Sequence, residues 1–265
     1  MRVWMPAYLS DAWLSGTAVA VIAAVTGFFI VRKEAAFFAH VLPKAGFAGA
    51  AGAVFLGLNP LYGLAAFTVA GALVISRLEK REQNDVATAL TLVVALGAGA
   101  LFLALTDRYA TGAYALLFGQ IVGVTETQVL ATAGVGVLCL LTVAVLYRPL
   151  LMISHAREAA EARGIPVSAV ETAFLVVTAL AVTVTVPVAG ALLSFSLLIG
   201  PAAAASRVTC QPGKAMFLSV IFSLFAVWLS LLLAYLTGWP AGFFVSAVVA
   251  TLYLTTRVIA AVSGA

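Results

Sequence analysis

Charged side chains are scarce in this sequence. Only 9% of its 265 residues are Asp, Glu, Lys or Arg, whereas 64% are hydrophobic, and the mean hydropathy is +1.15. A water-soluble globule of this length needs far more polar side chains to cover its surface. The composition therefore excludes a soluble domain and predicts a polytopic membrane protein embedded in a lipid bilayer.

Cysteine is scarce as well, with two in the whole chain. Cys139 lies within an apolar run and Cys210 lies in a polar loop, so we expect the two at different depths. Two cysteines so placed do not make a disulfide framework. We interpret both as packing residues.

Motifs that supply chemical energy are absent. The sequence has no G-x-x-x-x-G-K-[ST] phosphate loop, because Gly213-Lys214 has neither the required preceding glycine nor a following Ser or Thr. No paired carboxylates suggest a proton relay, since Asp85 and Glu171 fall at the ends of apolar runs. We therefore expect no enzymatic activity and no bound cofactor, with any ATP hydrolysis on a separate subunit. An ATP-independent secondary transporter or channel remains the alternative.

Long apolar runs dominate what is present, and most approach the roughly 20 residues that a helix needs to cross a bilayer. They cover residues 12–31, 36–57, 60–76, 86–105, 128–147, 168–186, 189–206, 215–236 and 241–258. We predict an all-α transmembrane helical bundle of about eight or nine spans, formed by residues 1–265 as a single domain.

Two segments interrupt this pattern. Between Thr106 and Gln128 the apolar stretch TGAYALLFGQIVGV is too short to cross comfortably, which predicts a short re-entrant or interfacial helix. Val186-Pro187-Val188-Ala189-Gly190 divides a longer apolar stretch, and we predict a turn or helix discontinuity there. An ordinary kinked helix is the alternative for both.

The basic residues are distributed unevenly between the loops. If loop 32–34 is cytoplasmic, Arg2 and Arg108 are outside, and eleven basic residues fall on the cytoplasmic side: Arg32, Lys33, Arg77, Lys80, Arg81, Arg148, Arg157, Arg163, Arg207, Lys214 and Arg257. Positive charge concentrates on the cytoplasmic side of membrane proteins. We therefore predict the N-terminus outside and the C-terminus in the cytoplasm, and the basic pI needs no nucleic-acid partner.

His40 and Lys44 are the most informative polar residues. They lie four residues apart in FFAHVLPKAGFAGAAG (37–52), on one face of an otherwise apolar helix. Ionisable groups within a span are costly to desolvate and mark functional sites. We expect this pair to lie on the path of a transported substrate.

The polar segment from Tyr147 to Ser168, YRPLLMISHAREAAEARGIPVS, predicts a short exposed helix over 156–163 that stops at Gly164. Its side chains mix both signs of charge, which suits docking into a groove on a soluble partner or, equally, a solvated connector. His155 precedes the helix, and we expect it to be a solvated loop histidine.

The chain resembles the membrane permease subunits of bacterial ABC importers for zinc, manganese or iron, along essentially its whole length. The matching pieces are FFAHVLPKAGFAG, ND, LLFGQIVGV, RPLL, AREAAEARGIPV and VAGALLSFSLLIGPAAAASR. The last two are the most specific, because a short charged helix ending in Gly-Ile-Pro-Val precedes the Gly-Pro-Ala-Ala segment at the right distance.

This resemblance implies a homodimeric permease of the bacterial cytoplasmic membrane that carries a divalent transition metal, zinc first and then manganese or iron. It implies two further partners, a cytoplasmic ATP-binding subunit and an extracytoplasmic substrate-binding protein. Residues 147–168 would be the cytoplasmic coupling loop. The residues expected to couple to the ATPase are His155, Arg157, Glu158, Glu161, Arg163 and Gly164.

The sequence departs from the family at the expected metal ligands. Members that it resembles carry Gly-Asp-Ala-Leu-Ser-His, and His40 stands where the Asp would be and Lys44 where the His would be. A neutral imidazole binds transition metals, whereas a lysine ammonium has no lone pair. His40 is therefore the one candidate metal ligand of the motif.

Three interpretations of Lys44 follow. A neutral amine could be an unusual nitrogen ligand, and a fixed cation could discourage metal from lingering or attract an anionic metal chelate. Alternatively, Lys44 snorkels to the cytoplasmic interface while His40 is hydrogen-bonded in the core. Cargo of another kind, such as a chelate, therefore stays open.

Overall fold

The computed structural model describes residues 7–78, 84–106, 119, 124–191 and 193–263. Within these ranges the chain forms ten helices and no strand: α1 (Ala7–Arg32), α2 (Ala36–Phe55), α3 (Pro60–Leu78), α4 (Asn84–Ala104), α5 (Glu126–His155), α6 (Arg157–Ala162), α7 (Val167–Ala189), α8 (Ser194–Val208), α9 (Pro212–Thr237) and α10 (Ala241–Ser263). The predicted all-α fold is confirmed.

Each of the nine predicted apolar runs coincides with one of these helices. Six helices of the described chain are both long and apolar enough to cross a membrane, namely α1, α3, α5, α7, α9 and α10. Of the other three, α8 has only 15 residues, whereas α2 and α4 have 20 and 21, and α2 carries His40 and Lys44. The described part of the bundle thus has six long apolar spans and three further helices that coincide with apolar runs.

Helices α2 and α3 pack closely because a glycine of one faces a glycine of the other. A Cβ added at Gly63 of α3 would lie 2.0 Å from the backbone oxygen of Gly49 on α2, and one at Gly49 would lie 2.1 Å from the oxygen of Gly63. Small residues let membrane helices approach to backbone contact in this way. The glycine pair fixes α2 against α3 on the extracytoplasmic side of the polar residues of α2, in the predicted orientation.

The predicted discontinuity at residues 186–190 is confirmed. Helix α7 ends at Ala189, Gly190 follows with φ +86°, and α8 begins only at Ser194. Pro187 lies inside the last turn of α7, and the helix continues past it to Ala189. The helix ends at Gly190 because glycine adopts a positive φ without steric cost. Most of the predicted re-entrant helix lies outside the described residues, but Gly119 is described, and a Cβ there would lie 2.5 Å from the Gly190 nitrogen. The two irregular segments of the sequence therefore touch.

One end of the bundle gathers the loops that carry positive charge. Arg32, at the end of α1, contacts His155 at the end of α5 and donates to the Cys210 carbonyl between α8 and α9. The α1–α2, α5–α7 and α8–α9 connections therefore lie on the same side, as the charge count predicts. Arg2, Lys80, Arg81 and Arg108 lie outside the described residues.

Candidate functional site

His40 and Lys44 form a hydrogen-bonded pair on α2, called here the polar pair. The i, i+4 spacing places them one above the other, with Lys44 Nζ within hydrogen-bonding distance of His40 Nε2. Both side chains are half-buried, and the helix between them is fully buried. The prediction that they share a face is confirmed, whereas their role in transport stays a prediction.

The hydrogen bond constrains what His40 can do. A lysine ammonium carries donors only, so a protonated Lys44 requires His40 Nε2 to accept and puts the imidazole proton on Nδ1. In that arrangement the Nε2 lone pair is directed at Lys44. Because that lone pair is also the one that would bind a metal, Lys44 and a metal ion compete for the same atom.

Phe195 holds the other side of the imidazole. Its ring centroid lies 4.9 Å from that of His40 at an interplanar angle of 81°, an edge-to-face contact. Phe195 is the second residue of α8, directly after the α7–α8 discontinuity. The polar pair is thereby connected to the segment that Gly119 contacts.

A complete metal site is not formed by the described part of one chain. Among the described residues no group of three or more His, Cys, Asp or Glu side chains is close enough to hold a metal ion. The polar pair itself offers one imidazole nitrogen and one amine. Further donors for a metal would have to come from water, a second copy of the chain or the cargo itself.

Helix α6 forms where the sequence predicts a short exposed helix. It covers Arg157–Ala162, and the chain turns away at Gly164, whose φ is +76° and whose nitrogen donates to the Glu161 carbonyl at 2.9 Å. Glu158 and Arg163 are exposed, and Arg163 Nη1 lies 3.9 Å from the Met152 sulfur. The helix thus presents charges of both signs.

His155 is exposed, as expected, but it is not simply solvated. Its Nε2 accepts from Arg32 Nη1 at 2.8 Å, and its Nδ1 lies 2.9 Å from the Leu151 carbonyl. The two contacts fit one neutral tautomer, with the proton on Nδ1. His155 therefore ties the end of α5 to the end of α1.

Lys33 and Glu171 form an ion pair that the sequence did not predict. Glu171 Oε1 lies 2.9 Å from Lys33 Nζ and 2.9 Å from Arg157 Nη1. The signal was present, because a carboxylate at the start of an apolar run needs a partner when it is partly desolvated. What the sequence did not reveal is that the partners come from residues 138 positions earlier and 14 positions earlier in the chain.

An open cleft of about 780 Å³ separates α6 from the start of α7. Its lining residues are Arg157, Glu161, Pro166, Val167, Ser168, Ala169, Thr172 and Ala173. Arg157 and Glu161 also form an ion pair with each other at 3.4 Å. The cleft gives the exposed loop a concave surface with both charge signs.

Known proteins resemble this chain over nearly its full length. The model of the ABC 3 transport family matches residues 5–260. The high-affinity zinc uptake system membrane protein ZnuB of Haemophilus influenzae is 28% identical over 237 residues, covering 88% of this chain and 90% of that protein. The manganese import system permease protein ScaB of Streptococcus parasanguinis is 26% identical over 230 residues, covering 86% of this chain and 82% of its own length.

A solved structure has the same architecture. PsaBC from Streptococcus pneumoniae in complex with Fab superimposes with a TM-score of 0.86 at 26% sequence identity, covering 95% of this chain and 91% of the matched one. The likeness extends over nearly all of both chains, so the helices described above are arranged as in that solved structure.

Proposed function

Because the chain belongs to the ABC 3 transport family, we propose that it is the permease subunit of an ATP-driven importer for a divalent transition metal. The observation that carries this proposal is the near full-length likeness to PsaBC and to relatives named for zinc uptake and manganese import. ATP hydrolysis would reside on a separate subunit, because the chain has no phosphate loop of its own.

The partners follow from the same proposal. A cytoplasmic ATP-binding subunit would seat on the α5–α7 connection, where α6 and the adjoining cleft are exposed. An extracytoplasmic substrate-binding protein would deliver the cargo at the opposite end. Two copies of the chain would form the translocation path in the bacterial cytoplasmic membrane, with the N-terminus outside and the C-terminus in the cytoplasm.

Zinc is the cargo that the polar pair favours. Imidazole nitrogen suits Zn²⁺, whereas Mn²⁺ prefers carboxylate, carbonyl and water oxygens. The motif position that would hold a carboxylate in the family holds His40 here. Manganese or iron is the next choice, since the relatives include manganese permeases.

Lys44 would act as a built-in competitor for His40. A metal ion that arrives at His40 Nε2 has to displace the Lys44 amine, so residence at this position would be brief. Weak, exchangeable binding suits a transport path, where an ion must leave as readily as it enters. If His40 from two copies met at a shared axis, they would provide two imidazole ligands.

The test is metal uptake by proteoliposomes that contain the chain with its ATP-binding subunit and binding protein. Zinc, manganese and iron are offered together, and the accumulated metals are measured by mass spectrometry with and without ATP. The proposal expects ATP-dependent uptake of one metal. ATP-independent flux by the chain alone would favour a secondary transporter or channel, and no metal uptake at all would redirect the search to a chelate or other cargo.

A further inference from the structure

One carboxylate joins three segments at the loop end of the bundle. Glu171 on α7 receives Lys33 from the α1–α2 connection and Arg157 from α6, both on Oε1 and both at 2.9 Å. These three residues are called here the Glu171 bridge. No other carboxylate in the described ranges forms ion pairs with two different segments.

The two halves of the bridge differ in exposure. The side chains of Lys33 and Glu171 are 15% and 22% exposed, whereas that of Arg157 is 57% exposed. Lys33 is also held from a second direction, with Nζ 5.9 Å from the centroid of the Phe174 ring. Ion pairs shielded from water are screened less by salt. The Lys33–Glu171 ion pair should therefore persist under conditions in which the Arg157–Glu171 ion pair breaks and re-forms.

A second contact holds the chain just before α6 to the same place. Arg32, the last residue of α1 and the neighbour of Lys33, contacts His155, which lies two residues before the start of α6. Arg32 and Lys33 therefore hold the chain on both sides of α6, at His155 before it and at Glu171 after it. A rigid shift of α6 has to move the α1–α2 connection or break these contacts.

The α1–α2 connection leads directly to the polar pair. Helix α2 starts at Ala36, and His40 lies four residues further, about 6 Å along the helix axis. Movement of Lys33 therefore reaches His40 through little more than one helical turn.

We propose that Glu171 is a positioning residue for transport, which makes movement of α6 move the start of α2, and with it the polar pair, through Arg157 and Lys33. The inference rests on the proposed function for the source of that movement, which is the ATP-binding subunit docked on α6. Glu171 itself does not contact the cargo. It determines whether ATP hydrolysis is coupled to transport.

The first experiment uses the assembled transporter in proteoliposomes and measures metal uptake and ATP hydrolysis in the same sample. Glu171→Gln keeps the size of the side chain and removes its charge. The expected result is ATP hydrolysis within about twofold of wild type and a metal-to-ATP ratio at least tenfold lower. Glu126→Gln, an exposed carboxyl-to-amide change at the far end of α5, is the matched control and leaves the ratio unchanged.

Charge inversion separates coupling from simple structural loss. The fourfold variant Lys33→Glu, Arg157→Glu, Glu161→Lys, Glu171→Lys rebuilds both ion pairs of the bridge and the Arg157–Glu161 pair with opposite signs, and the metal-to-ATP ratio should recover to within threefold of wild type. Glu171→Lys alone faces two cations and should be uncoupled. An unchanged ratio in Glu171→Gln, or failure of the fourfold variant to recover when it folds and hydrolyses ATP, would overturn the proposal.

A second measurement uses the purified chain alone, without cargo and without the ATP-binding subunit. Amide hydrogen exchange should become at least threefold faster in Glu171→Gln over both α6 and residues 34–40, and stay at wild-type rates in Glu126→Gln. Faster exchange in α6 alone would contradict the proposed connection to α2. If the wild-type transporter carries no metal, the proposed function is wrong. Hydrogen exchange still tests whether the Glu171 bridge connects α6 to the start of α2.

Discussion

The contact between Gly49 and Gly63 makes a stability prediction that can be worked out from the structure. In Gly63→Ala the new methyl carbon would lie 2.0 Å from the Gly49 oxygen and 2.7 Å from the Ala53 Cβ, both well inside van der Waals contact. The Gly49 oxygen belongs to the backbone and the Ala53 Cβ to a short side chain, so no flexible group can move aside. Helices α2 and α3 must separate by about 1 Å, and overpacking of this kind costs about 1–3 kcal/mol.

Gly134→Ala on α5 is the matched control, because a Cβ there meets nothing within 4 Å. Alanine has a higher helix propensity than glycine, so this variant should be neutral or more stable by up to about 1 kcal/mol. The assay is thermal unfolding of both purified variants in the same detergent, followed by loss of folded monodisperse protein. A midpoint for Gly63→Ala equal to that of wild type and of Gly134→Ala would refute the close approach of α2 and α3.

Three further substitutions give separate tests. Lys44→Met frees His40 Nε2, so Zn²⁺ should bind the purified chain about tenfold more tightly by calorimetric titration, and unchanged affinity would contradict the competition. Thr183→Val removes the 2.9 Å hydrogen bond to Thr68 between α7 and α3 and should cost about 0.6 kcal/mol, measured as the unfolding midpoint; no loss would mean the hydroxyls are not paired. Glu34 has φ +57°, a backbone conformation that residues with a Cβ disfavour. Glu34→Gly should therefore raise the unfolding midpoint by the equivalent of about 1 kcal/mol. A lower midpoint would argue against this turn.

Local features of this fold could be predicted from the sequence because local physics controls them. Apolar runs separated by turn signals predicted nine of the ten described helices, and Gly164 and Gly190 marked two helix ends correctly. The i, i+4 spacing of His40 and Lys44 predicted that they would share a helix face, and their hydrogen bond follows from that spacing. Each of these inferences needs only neighbours along the chain.

Contacts between distant segments could not be predicted in the same way. In the sequence, Phe195 is one more apolar residue of its run. Only the folded bundle shows that its ring packs edge-to-face on His40. Lys33 counted in the sequence only towards membrane orientation, and Glu171 only as a charge at the end of a span. Their ion pair depends on how α1 and α7 meet, which neither periodicity nor composition reports.

We propose that this chain carries a transition metal along a path that includes His40. The most direct test compares ATP-dependent zinc, manganese and iron uptake by proteoliposomes containing wild type or His40→Ala, with Phe55→Leu, an exposed position at the far end of α2, as the control. We expect selective uptake of one metal, with zinc favoured, that falls at least tenfold in His40→Ala and stays at wild-type level in Phe55→Leu. Full uptake by a folded His40→Ala transporter would contradict the path, and uptake of no metal by wild type would contradict the function.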